Sequence, residues 1–291
     1  MKCDCCSDEA WRPLFAENGI RLGTCATCDL HSIEDIPQGQ ARMTEMEEGH
    51  YAGSREILDA TRQIEAEKIL EQRFQKYVDL ASGTTPTGKW LDIGCGGGLL
   101  VELAQRAGYQ GEAIELNADR RKIAEKVTGA VVHGVPVEDC AFADDSFDVI
   151  SLINVFSHLT APGSTIAELL RILRPGGVIV MATGEITAGA QRNHMFNWNL
   201  GDHLHFLGDR TMTAYASRLG FEVVHHERHW LPDEMFSREW LTVKGRSPVK
   251  NAIKTAVRVT PGGLALMRAV MLRKQASSTA HASIFLLQAS D

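Results

Sequence analysis

The feature that most constrains the fold is an alternation of short apolar strands and amphipathic helices that begins at Lys89. Such alternation predicts an α/β protein with a mostly parallel sheet that is covered by helices on both faces. Right-handed crossovers then place a ligand at the carboxyl ends of the strands. The predicted strands are Trp90–Ile93, Glu112–Glu115, Ala130–His133, Phe147–Ile153, Val178–Ala182, Phe221–Val224 and His281–Gln288.

A glycine-rich turn follows the first of these strands. Glycines stand at positions 94, 96 and 98, and a helix is predicted from there to about Ala107. A turn without Cβ atoms lets a ligand touch the backbone, and the N-terminus of the helix offers free N–H groups. A dinucleotide fingerprint would have glycine or alanine at position 99, where this chain has Leu99. Taken alone, the glycine motif favours a merely structural turn, and Leu99 counts against a nicotinamide site.

Two acids stand at strand ends beside this turn. Asp92 lies where its carboxylate would reach an ammonium group or a bridging water molecule. Glu115 ends the second strand, where an acid accepts hydrogen bonds from both hydroxyls of a ribose. An acid in this register makes the purely structural interpretation of the glycine turn the weaker one.

These residues resemble a known family. The stretch 91–98, Leu-Asp-Ile-Gly-Cys-Gly-Gly-Gly, is similar to the signature of class I S-adenosylmethionine-dependent methyltransferases, and segments 146–150, 173–177 and 202–206 match the family in the same order. The resemblance covers roughly residues 51–230. It implies a seven-stranded, mostly parallel, doubly wound Rossmann-like sheet, and methyl transfer from S-adenosylmethionine to oxygen, carbon or nitrogen of a small-molecule acceptor.

The resemblance also implies a role for particular residues. The glycines would wrap the methionine part of the cofactor, Asp92 would bind its amino group and Glu115 its ribose. Further contacts would come from the adenine side and from the end of the fourth strand. The full set of implied cofactor contacts is Asp92, Gly94, Gly96, Gly98, Glu115, Leu116, Glu138 and Asn154. The chain departs from the family at Gly134-Val135-Pro136, where members often carry an acid.

Five of the seven cysteines fall within the first 28 residues. Two Cys-x-x-Cys pairs separated by eighteen residues are typical of a zinc ribbon, in which tetrahedral thiolate ligation replaces a hydrophobic core. With this ribbon the chain resembles methyltransferases that act on small molecules. Cys5 competes with Cys3 or Cys6 as a ligand, His31 is a fallback ligand, and reduced thiols without metal are the alternative. The predicted zinc ligands are Cys3, Cys6, Cys25 and Cys28.

Three histidines follow strands that end at the predicted ligand edge. His158 comes after the fourth strand, and His203 and His205 come after the fifth. Histidine can act as a base near neutral pH. We therefore expect His203 or His205, with His158 as a further candidate, to serve as a base or orienting group for the acceptor. The alternative is that these histidines bind loop backbone.

The bulk composition suits one globular domain with a small appendage, since the chain has 291 residues, of which 44% are hydrophobic. We expect a zinc ribbon at 1–36, a linker and an N-terminal helix at 37–88, and the cofactor-binding domain at 89–291. A transmembrane run and a signal-peptide core are both missing from the pattern, which predicts a cytoplasmic protein. The net charge of −7 argues against non-specific nucleic-acid binding.

The C-terminal region has an unusual charge pattern, because residues 242–290 contain eight basic residues and no acidic one. Two helical segments at about 245–275 flank Pro261-Gly262-Gly263. The ordinary interpretation is a helical insertion that docks by its apolar side and leaves the basic face, within 244–274, in solvent. A lid or a membrane-binding surface is the less favoured interpretation.

Two other classes of function remain open. A nicotinamide-dependent oxidoreductase has a similar glycine loop, but Leu99 and the Arg174-Pro175-Gly176-Gly177 turn count against it. A catalytically silent module would use the zinc ribbon to recruit a partner, and the complete cofactor loop counts against that.

Overall fold

The computed structural model of the protein describes residues 2–17, 19–36, 60–187, 200, 202–229, 248–275 and 280–289. The first part of the predicted linker and N-terminal helix, residues 37–59, lies outside these residues. Along the described chain the strands are β1 (Trp11–Glu17), β2 (Ile20–Cys25), β3 (His31–Ile33), β4 (Lys89–Ile93), β5 (Gln110–Ile114), β6 (Val132–His133), β7 (Phe147–Ile153), β8 (Leu173–Ile186), β9 (His205–Phe206), β10 (Phe221–His229) and β11 (Ala280–Ala289). The α-helices are α1 (Ala60–Ser82), α2 (Leu99–Arg106), α3 (Ala118–Thr128), α4 (Pro162–Ile172), α5 (Thr211–Leu219), α6 (Pro248–Val259) and α7 (Gly263–Gln275).

The larger sheet contains seven strands in the order β10-β11-β8-β7-β4-β5-β6. The neighbours from β6 to β8 are parallel, and β11 runs antiparallel to both β8 and β10. The predicted doubly wound α/β fold is therefore confirmed. Chain order reverses between β4 and β7, which opens a crevice at the carboxyl ends of these strands.

Strand alternation divides the core between the two faces of this sheet. Trp90 and Val149 belong to the cluster beneath α1 and α2, whereas their neighbours Leu91 and Ile150 belong to the cluster beneath α4 and α5. All four side chains are fully buried. Successive strand residues point to opposite faces, so a strand that is buried on both sides is apolar throughout.

A second, antiparallel sheet has the order β1-β2-β3-β9. Its first three strands form the cysteine-rich N-terminal part, but β9 comes from the chain after β8, and Ser32 pairs with His205 across the ladder. The apolar cluster beneath α4 and α5 also includes Cys28 and Leu30. The N-terminal sheet and the large sheet therefore share a core, while a domain boundary at residue 36 stays a prediction.

Helices α6 and α7 lie in the region where a helical insertion was predicted. The expected docking by the apolar side is not what α6 shows, since Val249 is 69% exposed and Ile253 57% exposed. The helix rests instead on α7, with Lys254 and Val257 among its partly buried residues. Among the described residues, no helix combines the length and the apolar character needed to cross a membrane.

Candidate functional site

The glycine loop between β4 and α2 has a backbone that other residues rarely adopt. Gly94, Gly96 and Gly98 have φ angles of 71°, 57° and 87°. A Cβ at position 94 would lie 2.6 Å from Val155 Cγ2, and one at position 98 would lie 3.1 Å from Ala124 Cα. Glycine is therefore required by both the backbone angle and the close packing. The loop leaves its backbone open to a ligand at the carboxyl edge of the sheet.

The carboxylate of Glu115 holds this loop in place. Its Oε2 accepts a hydrogen bond of 2.8 Å from the backbone N–H of Gly96, and its Oε1 accepts one of 2.9 Å from Asn117 N–H. The side chain is buried, with 9% of its surface exposed. Each carboxylate oxygen keeps a second lone pair. Glu115 can thus brace the loop and still accept bonds from two hydroxyls, as the predicted ribose contact requires.

Asp92 lies at the end of β4 inside a short polar network. Ser151 Oγ donates to Asp92 Oδ1 at 2.5 Å, and Trp90 Nε1 donates to the same hydroxyl at 2.8 Å. Burial raises the pKa of Asp92 to about 7, and the negative charge of Glu115 adds to the effect. A cationic group beside Asp92 would stabilise its ionised form. The sequence interpretation did not include Ser151, whose signal is a hydroxyl in the middle of a largely apolar strand.

The other predicted cofactor residues lie around the same edge. Asn154 is exposed and has a φ of 58°, and Leu116 is partly buried against the core. Glu138 is exposed and accepts a 2.6 Å hydrogen bond from Thr165 Oγ1, so its carboxylate is tied to α4. The contacts of these three residues with adenine or methionine stay predictions.

His158 and His203 lie together beyond the end of β7. Their ring centroids are 4.9 Å apart, and one nitrogen or oxygen from each of His158, Asp202 and His203 lies within 4.8 Å of the others. His158 Nδ1 is 2.9 Å from the backbone oxygen of Asp202. Because a carbonyl only accepts hydrogen bonds, this nitrogen carries the proton. The bond fixes the tautomer of His158 and holds it against the segment that carries His203.

His205 lies in a different environment from His203. It is 1% exposed, and its Nδ1 is 2.8 Å from the hydroxyl of Ser32 on β3. Burial lowers the pKa of His205 to about 4. The ring is therefore neutral at pH 7, and it joins two strands of the small sheet. Of the two histidines predicted after the fifth strand, His203 is the one that groups with His158 and Asp202.

A cavity of about 740 Å³ opens beside the N-terminal part of the chain, and His205 is one of its lining residues. Trp11, Ser32 and Thr160 are among the residues that line it. Its volume falls in the range of pockets that bind small molecules.

The four predicted metal ligands converge in the N-terminal part. The distance between Cys3 Sγ and Cys28 Sγ is 3.5 Å, and that between Cys6 Sγ and Cys25 Sγ is also 3.5 Å. Together the four sulfurs form a group that can surround one ion. Tetrahedral thiolates around zinc would be about 3.8 Å apart. The donor set and the spacing therefore fit a structural zinc ion.

The two alternative ligands have other partners. Cys5 Sγ donates to the backbone oxygen of Thr211 at 3.5 Å. His31 Nε2 is 3.0 Å from Ile186 O, and its Nδ1 is 2.8 Å from Thr24 Oγ1. Both residues attach the ribbon to its surroundings and lie outside the group of four sulfurs.

Comparisons with known proteins agree with the fold. A family model described as a methyltransferase domain matches residues 66–226, which is more than half of the chain. The chain is similar to the ubiquinone biosynthesis O-methyltransferase of Caulobacter sp. strain K31, with 31% identity over 125 residues, 40% of this chain and 49% of that protein. For the enzyme of the same name from Methylococcus capsulatus, the identity is 33% over 101 residues, 33% of this chain and 43% of that protein. The matched region thus spans less than half the length of either relative.

Two of the solved structures with the same fold are named as geranyl diphosphate methyltransferases. A geranyl diphosphate methyltransferase in complex with SAM superposes with a TM-score of 0.56 at 15% identity, covering 75% of this chain and 85% of that one. The geranyl diphosphate C-methyltransferase of Streptomyces coelicolor A3(2) gives 0.55 at 12% identity, covering 76% and 79%. At such identities the likeness concerns the fold alone.

The raised pKa of Asp92 predicts pH-dependent cofactor affinity. A ligand ammonium group favours the ionised carboxylate, so S-adenosylhomocysteine should bind more tightly as the pH rises from about 6 to about 8, by up to about tenfold per pH unit below the pKa. Calorimetric titration across this range measures the effect. Asp92→Asn should bind with a nearly flat pH profile. If the affinity changed equally with pH in the wild-type protein and the variant, Asp92 would not be the group that binds the ligand's ammonium.

The convergence of four sulfurs predicts about one zinc ion per chain. Cys6→Ser should lose most of the metal, whereas Cys5→Ser, the matched control from the same knuckle, should keep it. Elemental analysis of protein purified without chelator measures both contents. Retention of zinc by Cys6→Ser together with its loss in Cys5→Ser would reverse the ligand assignment.

Proposed function

The chain belongs to the methyltransferase-domain family, and we propose on that basis that it transfers a methyl group from S-adenosylmethionine to a small-molecule acceptor. The observation that carries the proposal is the glycine loop at the carboxyl end of β4, braced by the buried carboxylate of Glu115. The names of the relatives favour an oxygen acceptor among the three atoms that the sequence leaves open.

The proposed mechanism relies on positioning more than on covalent chemistry. The cofactor supplies a methyl group that is already activated by the sulfonium charge. The loop at Gly94–Gly98 would receive its methionine part, Asp92 would neutralise its ammonium group, and Glu115 would accept hydrogen bonds from its ribose. Holding the reactants in line and excluding water provides most of the rate enhancement that such a transfer needs.

An oxygen acceptor also needs to lose a proton. We propose His203 as the base, because it stands beside His158 and Asp202. The proton of the acceptor hydroxyl would pass to a nitrogen of the His203 ring as the methyl group is transferred. His158 would orient this segment through its bond to the backbone of Asp202.

We propose that the zinc ribbon has a structural role at this acceptor side. Its knuckles contact the ends of two helices, since Thr211 Oγ1 donates to Cys28 O at 2.9 Å, and Asp4 accepts 2.6 Å bonds from Gly163 N–H and Tyr215 OH. The β3–β9 ladder then continues to the segment of His203. A metal at the four cysteines would keep these contacts in register.

The cofactor assignment is tested by titration with S-adenosylhomocysteine and with NAD. We expect binding of the former alone. Glu115→Ala should weaken it by about 1–3 kcal/mol, the cost of removing a hydrogen-bonding group from a buried site. Glu112→Ala is a matched control from the same strand, because Glu112 binds His133 and not the loop. Preferential binding of NAD would overturn the proposal in favour of an oxidoreductase, and cofactor binding without turnover of any acceptor in a metabolite extract would favour the silent module.

The proposed base is tested by His203→Ala. Turnover should fall by about 10²–10⁴-fold while the affinity for S-adenosylhomocysteine stays nearly unchanged, because other residues hold the cofactor. Turnover is measured with radiolabelled methyl donor, and His225→Ala on β10 is the control. If His203→Ala loses less than about tenfold, general-base catalysis at this position is refuted and transfer by positioning alone remains.

A further inference from the structure

The helix pair α6–α7 exposes apolar side chains of a size that is normally buried. Among the described residues, this pair has large apolar side chains in solvent on both of its helices, and four of the five are more than half exposed. They are Val249 at 69%, Ile253 at 57%, Val259 at 68%, Leu266 at 67% and Val270 at 46%. An exposed apolar set of this kind marks an interaction surface.

Helix α6 separates its apolar and basic residues onto different sides. Val249, Ile253 and Ala256 follow one another at helical spacing and are all exposed. Arg258 is exposed as well, while Lys254 is partly buried near the side that rests on α7. An amphipathic helix that belongs to a core turns its apolar side inward. In α6 the apolar side faces solvent instead, so it is available to contact an apolar surface outside the protein.

The C-terminal region that contains α6 and α7 has a net charge opposite in sign to that of the rest of the protein. Residues 242–290 carry a formal charge of +8, whereas the whole chain carries −7, so the remaining residues carry −15. A positive region of this density is attracted to anionic surfaces. The negative remainder would orient the protein so that only this region approaches such a surface.

The junction between the two helices is tight. Gly263 N–H donates to Thr260 O at 2.9 Å, and a Cβ at position 263 would lie 2.4 Å from Val257 O. The two helices also pack chiefly against each other. Within the described part of the chain, the pair therefore forms a unit of two helices joined by a short turn, which we call the α6–α7 hairpin.

Three occupants are worth comparing. A second copy of the chain would bring two regions of +8 together, and like charges oppose that contact. A nucleic acid would satisfy the charges but would leave the exposed valines, Ile253 and Leu266 without an apolar partner, since its binding is mainly electrostatic. The interface of an anionic lipid bilayer offers phosphates and acyl chains at the same place.

We propose that the α6–α7 hairpin is a peripheral binding site for anionic lipid bilayers. The exposed apolar side chains of α6 would enter the boundary between headgroups and acyl chains, and Arg258 would face lipid phosphates. The helices lie in the interface and do not span it, because α6 has only 12 residues. The site is independent of methyl transfer and extends the function to a membrane surface.

Vesicle binding by the full chain tests this proposal. We expect cosedimentation with phosphatidylcholine vesicles that contain phosphatidylglycerol, much weaker binding to pure phosphatidylcholine, and a decrease with rising salt because the attraction is screened. Equal binding to the two kinds of vesicle, or binding to neither, would overturn the proposal. S-adenosylhomocysteine affinity, measured in parallel, reports on the methyltransferase proposal separately.

Two exposed substitutions locate the surface. Val249→Asp combined with Ile253→Asp should reduce the partition coefficient by about tenfold or more, because charged groups would replace the inserted side chains. Val131→Asp is the matched control, since Val131 is 63% exposed outside the hairpin. Circular dichroism checks folding of each variant. Unchanged vesicle binding in the double variant, or a shift in oligomeric state without any vesicle binding, would contradict the lipid assignment.

Discussion

The reversal of strand order between β4 and β7 is the constraint on which the rest of the structure depends. Helices leave these two strands on opposite faces of the sheet, so a crevice opens above their carboxyl ends. Asp92 lies at this edge because it is near the end of β4, and the glycine loop and Asn154 lie there because they directly follow β4 and β7. Glu115, which follows β5, then ties the loop to the next strand through the bond to Gly96. A cofactor site arises here from connectivity first and from side-chain chemistry second.

The parts of this edge that could be predicted are those with a local cause. Strand β7 was predicted with its observed bounds because five of its seven residues are apolar, and Gly94, Gly96 and Gly98 were predicted because a left-handed backbone needs glycine at the position itself. Ser151 could not be predicted as a partner of Asp92, because the two residues lie on different strands and meet only after the parallel register is set. Strand β8 is longer than predicted at both ends, and its C-terminal extension pairs with β11, from Thr183 opposite Ser283 to Ile186 opposite Ala280.

The ribbon shows the same division between local and long-range causes. Cysteine spacing predicted the four sulfurs that converge, since each knuckle is a short local turn. The pairing of Ser32 with His205 joins residues that are 173 positions apart. Because β9 is only two residues long, it has no sequence pattern from which this pairing could be predicted. This pairing is what separates two histidines that look equivalent in the sequence. His205 becomes a buried, neutral link between strands, and His203, two residues earlier, stays beside His158 and Asp202.

Amphipathic periodicity carries a similar ambiguity at the C-terminal helices. It defines two sides of α6 but does not determine which of them meets protein, because that choice depends on what else packs nearby. For most helices the apolar side meets the core, and the free energy gained is about 25 cal/mol per Å² of apolar surface buried. Helix α6 does not obtain this free energy from Val249 and Ile253, because both side chains are exposed. The exposed apolar side chains of α6, which lie in a densely basic segment, are best explained by contact with an apolar surface outside the protein. In the absence of that surface, the position of α6 depends on the short junction at Gly263 and on contact with α7.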